Sequence, residues 1–262
     1  MPEADALASA SPVVLLGRGG SGTRLLSALA AESGLFIGNR VSDTGDSLEW
    51  VDVIYAAAIE WLSGTPDGSW PDRLRAVAAA MLVEAGRRPH DLWGWKLPET
   101  VLALPAVRQA FPRARYVHLI RHPLASAFRR SHLTSRTDNA VGRAVLARAY
   151  AEAGRDAALV ESDPEWLRNA ITWRLHMDLA LDALAEVDPA RVLTIRFEDL
   201  VGAPAAAQAR FRALLQLPQG ASDPLAGFDA ARAASTQGTE ADADCVWRIC
   251  APAARRLGYE RA

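Results

Sequence analysis

Four short apolar segments stand out in a chain whose remaining hydrophobic residues recur at helical spacing. Val13 to Leu16, Tyr116 to Ile120 and Arg191 to Phe197 (which includes VLTIRF) read as strands buried on both faces, as a central parallel strand must be. Leu92 to Lys96 reads as a shorter strand with Trp93 and Trp95 on one face. The spacing predicts helices over Ser21–Ser33, Leu48–Leu62, Pro71–Gly86, Thr100–Phe111, Pro123 to about His132, Ala140–Val160, Glu165–Glu186, Pro204–Leu215 and Ala241–Leu257. Gly34, the Gly64–Pro71 break and Gly86 separate the early ones. Asn39 to Asp46 reads as a polar loop, and residues 216–240 read as loop. Strands alternating with helices predict an α/β fold of three layers, a central parallel sheet flanked by helices on both faces. Ligands in such folds sit at the carboxyl ends of the strands, where Gly17, Lys96 and Arg121 fall.

The first strand runs into the turn GRGGSGT, residues 17–23, which opens the first helix. Glycines there let a ligand approach the backbone, and the helix start presents N–H groups and the positive end of its dipole. This is an anion site, suited to phosphate. The ATP-type pattern G-x-x-x-x-G-K-[ST] is met at Gly17 and Gly22, but Thr23 stands where lysine belongs. With Lys96 and Arg121, the turn forms a cationic rim that suits a polyanionic donor, and phosphoryl or sulfuryl transfer needs little beyond positioning and charge.

Charge and composition narrow the partners. A formal net charge of −2 argues against nucleic acid, although Arg113, Arg115, Arg121, Arg129, Arg130 and Arg136 cluster. Cys245 and Cys250 give no disulfide framework and no metal-ligand spacing. Residues 1–12, Ala/Ser-rich without a basic segment, read as a flexible N-terminus rather than a signal peptide, and residues 13–262 as one domain. No window is apolar enough to span a bilayer, so a cytoplasmic location is expected.

Together these segments resemble the sulfotransferases that use 3′-phosphoadenosine 5′-phosphosulfate (PAPS), bacterial members included. Gly17 to Leu26 is similar to that family's 5′-phosphosulfate loop. Trp93-Gly94-Trp95-Lys96-Leu97-Pro98 is similar to its strand-end lysine motif, and YVHLIRHPLASAFR, residues 116–129, to its 3′-phosphate segment. IRFEDL, residues 195–200, is similar to its Y/F-E-D element, and the segment from Cys250 to Tyr259 is a weaker match. The resemblance implies a P-loop NTPase-like sulfotransferase fold and metal-independent transfer of a sulfuryl group from PAPS, with 3′-phosphoadenosine 5′-phosphate (PAP) as product. The acceptor would be a hydroxyl or amine of a small molecule or carbohydrate.

It also implies donor-binding roles for Arg18, Gly19, Gly20, Ser21, Gly22, Thr23, Arg24 and Arg121. The family's serine eight residues after that arginine is replaced by Arg129, with Ser126 and Ser131 as alternatives. The loop cation usual at Gly20 is missing, and Arg18, Arg24 or Lys96 could substitute, Lys96 being favoured. The tryptophan that stacks on adenine in animal members is replaced by Leu25. No histidine follows Lys96, so Glu99 and Asp46 are the candidate bases, with Asp43 and Glu49 competing. His118 reads as a core residue and His122 as facing phosphate, while His132 and His176 lie on predicted helices. Trp50, Trp61, Trp93 and Trp95 read as core, and Glu198 and Asp199 as structural. A P-loop kinase acting on a small molecule and a non-catalytic nucleotide-binding relative are the competing readings.

Overall fold

The computed structural model describes residues 6–218 and 238–261. Its sheet contains β1 (Val13–Gly17), β2 (Gly94–Lys96), β3 (Arg115–Ile120) and β4 (Val192–Arg196), all parallel, in the order β2-β1-β3-β4. The register sets Leu15 beside Lys96, Gly17 beside Leu119, and Ile120 beside Arg196. Functional positions therefore end on one rim. Because β2 and β3 lie on opposite sides of β1, the chain changes direction there and leaves a crevice at the strand ends.

Around the sheet lie α1 (Arg24–Glu32), α2 (Val51–Leu62), α3 (Trp70–Glu84), α4 (Leu104–Ala110), α5 (Pro123–Ala127), α6 (Ala140–Glu152), α7 (Glu165–Ala185), α8 (Phe197–Gly202), α9 (Pro204–Leu214) and α10 (Glu240–Arg256). Alternate strand residues feed opposite layers, as the two-residue period of a strand dictates. Val14, Leu16 and Tyr116 pack with Trp50, Ile54 and Val145 on one side. Val13, Leu15, Val117 and Ile195 pack with Leu26, Leu29 and Phe211 on the other. A third cluster, including Trp173, Trp247 and Cys250, seats α10 against α7. Trp50 stacks on Trp95 at 3.9 Å, next to Trp93, so these three indoles are core. Cys245 and Cys250 are free thiols.

Several predicted boundaries shift. The helix from Pro123 stops at Ala127, five residues early, and the chain reaches His132 as loop. The predicted Thr100–Phe111 helix is a 3-10 turn over Pro98–Ala103 followed by α4. The short α8, unforeseen, follows β4 directly. Leu7 and Ala10 are buried, so part of the N-terminal segment expected to be flexible is packed. Of the predicted loop 216–240, residues 219–237 lie outside the described residues. Among the described residues no helix is long and apolar enough to cross a membrane, and no three His, Cys, Asp or Glu side chains are grouped to hold a metal ion.

Candidate active site

A cavity of about 460 Å³ opens at the carboxyl ends of the strands. Its wall includes Gly19, Gly20, Gly22, Thr23 and Arg24 from the turn after β1, Lys96 from the end of β2, and Arg121 and Arg129 from the segment after β3. Asp46, Thr44, His132 and Phe197 complete the polar and aromatic parts. In the first turn of α1 the Leu25 and Leu26 N–H groups donate to the Gly22 and Thr23 carbonyls at 2.9 and 3.0 Å, while the backbone of Gly19, Gly20, Gly22, Thr23 and Arg24 borders this cavity. Gly20 and Gly22 take φ of +84° and +94°, the left-handed region that favours glycine. A Cβ on Gly22 would collide with the Phe197 ring, and one on Gly19 with the His132 imidazole. The absent loop cation thus coincides with a backbone shape that favours glycine at Gly20.

Two arginines meet at the far wall. Arg121 is buried beneath the surface, and its guanidinium lies 4.1 Å from the centre of the Phe197 ring. Burial, and then repulsion from Arg129, push its pKa down to about 10, with Glu198 opposing. Two like charges held beside one cavity favour an anion between them. Behind them, Glu198 accepts from the His122 N–H at 2.9 Å and from the Tyr259 hydroxyl at 2.9 Å. This is the structural task expected of Glu198. The His122 imidazole turns away from the cavity, stacking on Trp247 and meeting the Glu260 carbonyl at 2.9 Å. The expectation that it faces phosphate is corrected.

The near wall is built around Lys96. Its ammonium donates to Asp46 Oδ1 at 2.6 Å and to the Thr44 carbonyl at 3.1 Å. Ser47 fixes the strand end by accepting from Lys96 N–H and donating back to its carbonyl. Burial lowers the Lys96 pKa, and Asp46 counters that by raising it. Asp46, expected as a base, is thus committed to an ion pair.

Three other candidates are placed differently from a reading of sequence neighbours alone. Arg18 turns away from the cavity, into the protein. Its guanidinium donates to Ser135 Oγ at 2.9 Å, Asn169 Oδ1 at 3.0 Å and Thr172 Oγ1 at 3.3 Å, all neutral partners. Burial lowers its pKa to about 10. A donor-contacting role for its side chain is corrected, because the side chain is used beneath the loop. Ser21 is fully buried, and its N–H closes the turn onto the Arg18 carbonyl at 3.1 Å. Glu99 is buried behind the wall, with Oε1 3.4 Å from His132 Nδ1 and Oε2 3.5 Å from the Tyr55 hydroxyl. Burial pushes its pKa up to about 7. Of the serine alternatives, Ser126 is buried and Ser131 donates to Glu165 at 3.3 Å, whereas Arg129 lines the cavity. Asp43 and Glu49 are not on its wall, and Glu49 accepts from the N–H groups of Asn39 and Arg40. His118 and His176 are core residues, and His132, set aside on sequence, is on the wall.

Comparison with known proteins agrees with this architecture. The model of a family described as "Sulfotransferase family" matches residues 12–220. No curated protein matches the chain in sequence. Among solved structures, the sulfotransferase domain from the curacin biosynthetic pathway is similar with a TM-score of 0.52 at 17% identity, covering 97% of this chain and 99% of that one. The sulfotransferase domain from the Synechococcus PCC 7002 olefin synthase gives 0.53 at 16%, covering 95% and 94%. Sulfotransferase STF9 from Mycobacterium avium gives 0.55 at 14%, covering 99% and 80%. At these identities the likeness is one of fold.

Proposed function

The chain belongs to the sulfotransferase family, and from that premise we propose that it moves a sulfuryl group from PAPS to a hydroxyl or amine of a small molecule or carbohydrate, without a metal. The observation that carries this reading is the cavity's two-ended charge. Lys96 at the end of β2 and the Arg121–Arg129 pair after β3 flank the glycine turn that follows β1, one on each side. An adenosine bearing phosphate groups at both its 3′ and 5′ positions matches that arrangement.

In this reading Gly19, Gly20, Gly22, Thr23 and Arg24 hold the 5′-phosphosulfate, with backbone N–H groups as the main donors. Ser21 supports the turn from within. Arg121 takes the 3′-phosphate, for which a planar guanidinium is well shaped, and Arg129 joins it where the family has serine. Lys96 stabilises the oxygen that leaves as the sulfur–oxygen bond breaks, which takes over the duty of the absent loop cation. Asp46 keeps that ammonium charged despite its burial. The buried Arg18 adds positive charge beneath the loop without touching the donor. The acceptor loses a proton as it attacks, and Glu99, next to this wall, is the carboxylate left for that side of the reaction. A cytoplasmic setting fits a PAPS user.

Thermal shifts with PAP, PAPS, ATP and Mg·ATP test the reading. Ligand at a hundredfold its Kd adds about 2.7 kcal/mol to stability, an easily read shift. Stabilisation by PAP and PAPS is expected. Stabilisation by Mg·ATP alone would establish the kinase reading instead. Stabilisation by PAP with no PAP released from PAPS across a broad acceptor panel would leave a binding protein.

A further inference from the structure

His132 occupies an arrangement that its packing does not explain. The loop after α5 carries it to the cavity wall, where its ring lies against Gly19 and a quarter of the side chain stays exposed. Nδ1 faces inward, 3.4 Å from Glu99 Oε1 and 3.5 Å from the Thr134 hydroxyl. Glu99 Oε1 is buried without any hydrogen bond, an expensive condition for a carboxylate oxygen. A small rotation of the imidazole would supply the missing bond. That bond would fix the tautomer with hydrogen on Nδ1 and leave the Nε2 lone pair as the ring's proton acceptor.

We propose that His132 is the catalytic base of this site and that Glu99 is the residue that positions it. The proposal rests on the sulfuryl-transfer reading. As the acceptor oxygen bonds to sulfur, the bond from sulfur to the bridging phosphate oxygen breaks, and its electron pair leaves with PAP. The acceptor's proton passes to His132 Nε2. The resulting imidazolium is stabilised by the Glu99 carboxylate and afterwards returns its proton to solvent. This geometry follows a general pattern, in which a base within reach of the cavity is oriented by a buried third group.

The surrounding charges agree with a base that is neutral at rest. Burial first, then Arg18, Lys96 and Arg136, hold the His132 pKa low, with Asp46 opposing. Glu99 is raised by burial and by Asp46 and lowered by Lys96 and Tyr55. With Nδ1 3.4 Å from Oε1, a proton taken up by either group is felt by the other.

Two measurements on the full chain test this. Histidine-labelled protein saturated with PAP is titrated by NMR, with the His132 signal identified from His132→Gln. In the wild type the His132 signal should report the Glu99 protonation near pH 7 as a separate step, which Glu99→Gln should remove; a His132 titration curve unchanged by the substitution would overturn the pairing. In the second, PAP release from PAPS is followed with 2-naphthol and with water as acceptors. His132→Ala should lose at least a hundredfold in turnover while its PAP affinity stays within threefold. Added imidazole should restore at least tenfold, with a rising dependence on pH. Glu99→Gln should lose at least tenfold. Turnover within threefold of wild type in His132→Ala, or no imidazole rescue, would overturn the catalytic role and leave the transfer reading standing. Wild-type protein that binds PAP but releases none from PAPS with these or any of the broad acceptor panel would sink the transfer reading, and the catalytic role with it. The NMR titration would still decide the pairing.

Discussion

The guanidinium of Arg121 lies 4.1 Å from the centre of the Phe197 ring, and the same ring fills the space into which a Gly22 side chain would grow. One aromatic residue from the start of α8 thus couples the glycine turn to the arginine end of the cavity. It packs on the turn that opens α1 and supports the arginine after β3. Gly22→Ala should therefore disturb both. The left-handed backbone costs a non-glycine residue about 1–2 kcal/mol, and the collision with Phe197 adds to it. Expected outcomes are a clear drop in Tm and weaker PAP binding; calorimetric titration with PAP reads the second. Unchanged PAP affinity would dissociate the turn from the nucleotide.

Arg121→Ala should weaken PAP binding by about 10- to 100-fold, the scale of a charge-assisted contact of ~1.5–3 kcal/mol. Arg129→Ala should weaken it less, because removing its repulsion also lets the Arg121 charge settle. Isothermal titration with PAP and with 5′-AMP separates the two phosphates. If the mutants lose equal affinity for both ligands, neither arginine serves the 3′-phosphate.

Asp46→Asn should move the alkaline limb of turnover to lower pH. Lys96 must be protonated to act; burial depresses its pKa and Asp46 raises it. Without the carboxylate, the ammonium loses its proton at lower pH, so activity falls off earlier as pH rises. A pH–rate profile of PAP release checks the sign. If Asp46 were instead the base, the acidic limb would disappear.

Stability should fall between pH 6.5 and 4.5. Burial lowers the pKa of His118 to about 4, of His132 to about 4 and of His176 to about 3, so the unfolded chain takes up protons first. Glu99 works the other way, because its raised pKa, about 7, binds a proton in the folded state that the unfolded chain has already lost. Three histidines against one carboxyl leave a net slope of about 2–3 kcal/mol per pH unit, rising with pH. Urea melts at pH 6 and pH 5 measure it. Glu99→Gln should steepen the slope, and a flat stability across this window would contradict the buried neutral histidines.

The parts of this site that were legible in the sequence are those whose chemistry is local. A strand feeding a glycine turn and a helix identifies itself, and so do Lys96 and Arg121, each at the end of a buried strand. His132 was not legible because its place depends on α5 ending at Ala127, where the pattern predicts about His132. Arg18 misled for a different reason. It is adjacent to the loop in sequence, but its side chain follows the interior direction, towards Asn169 and Thr172 on α7. The fates of Asp46 and Glu99 turned on partners far along the chain, namely Lys96 and His132, which no spacing rule connects.

The Glu198 bridge has a consequence for how the protein comes into being. Its carboxylate grips the His122 backbone beside Arg121 with one oxygen and the Tyr259 hydroxyl with the other. Tyr259 is synthesised after all four strands. A nascent chain whose sheet has already emerged from the ribosome still lacks this brace on its arginine end. If Arg121 takes the 3′-phosphate as proposed, PAP should protect stalled chains from protease only once they are long enough to expose Tyr259.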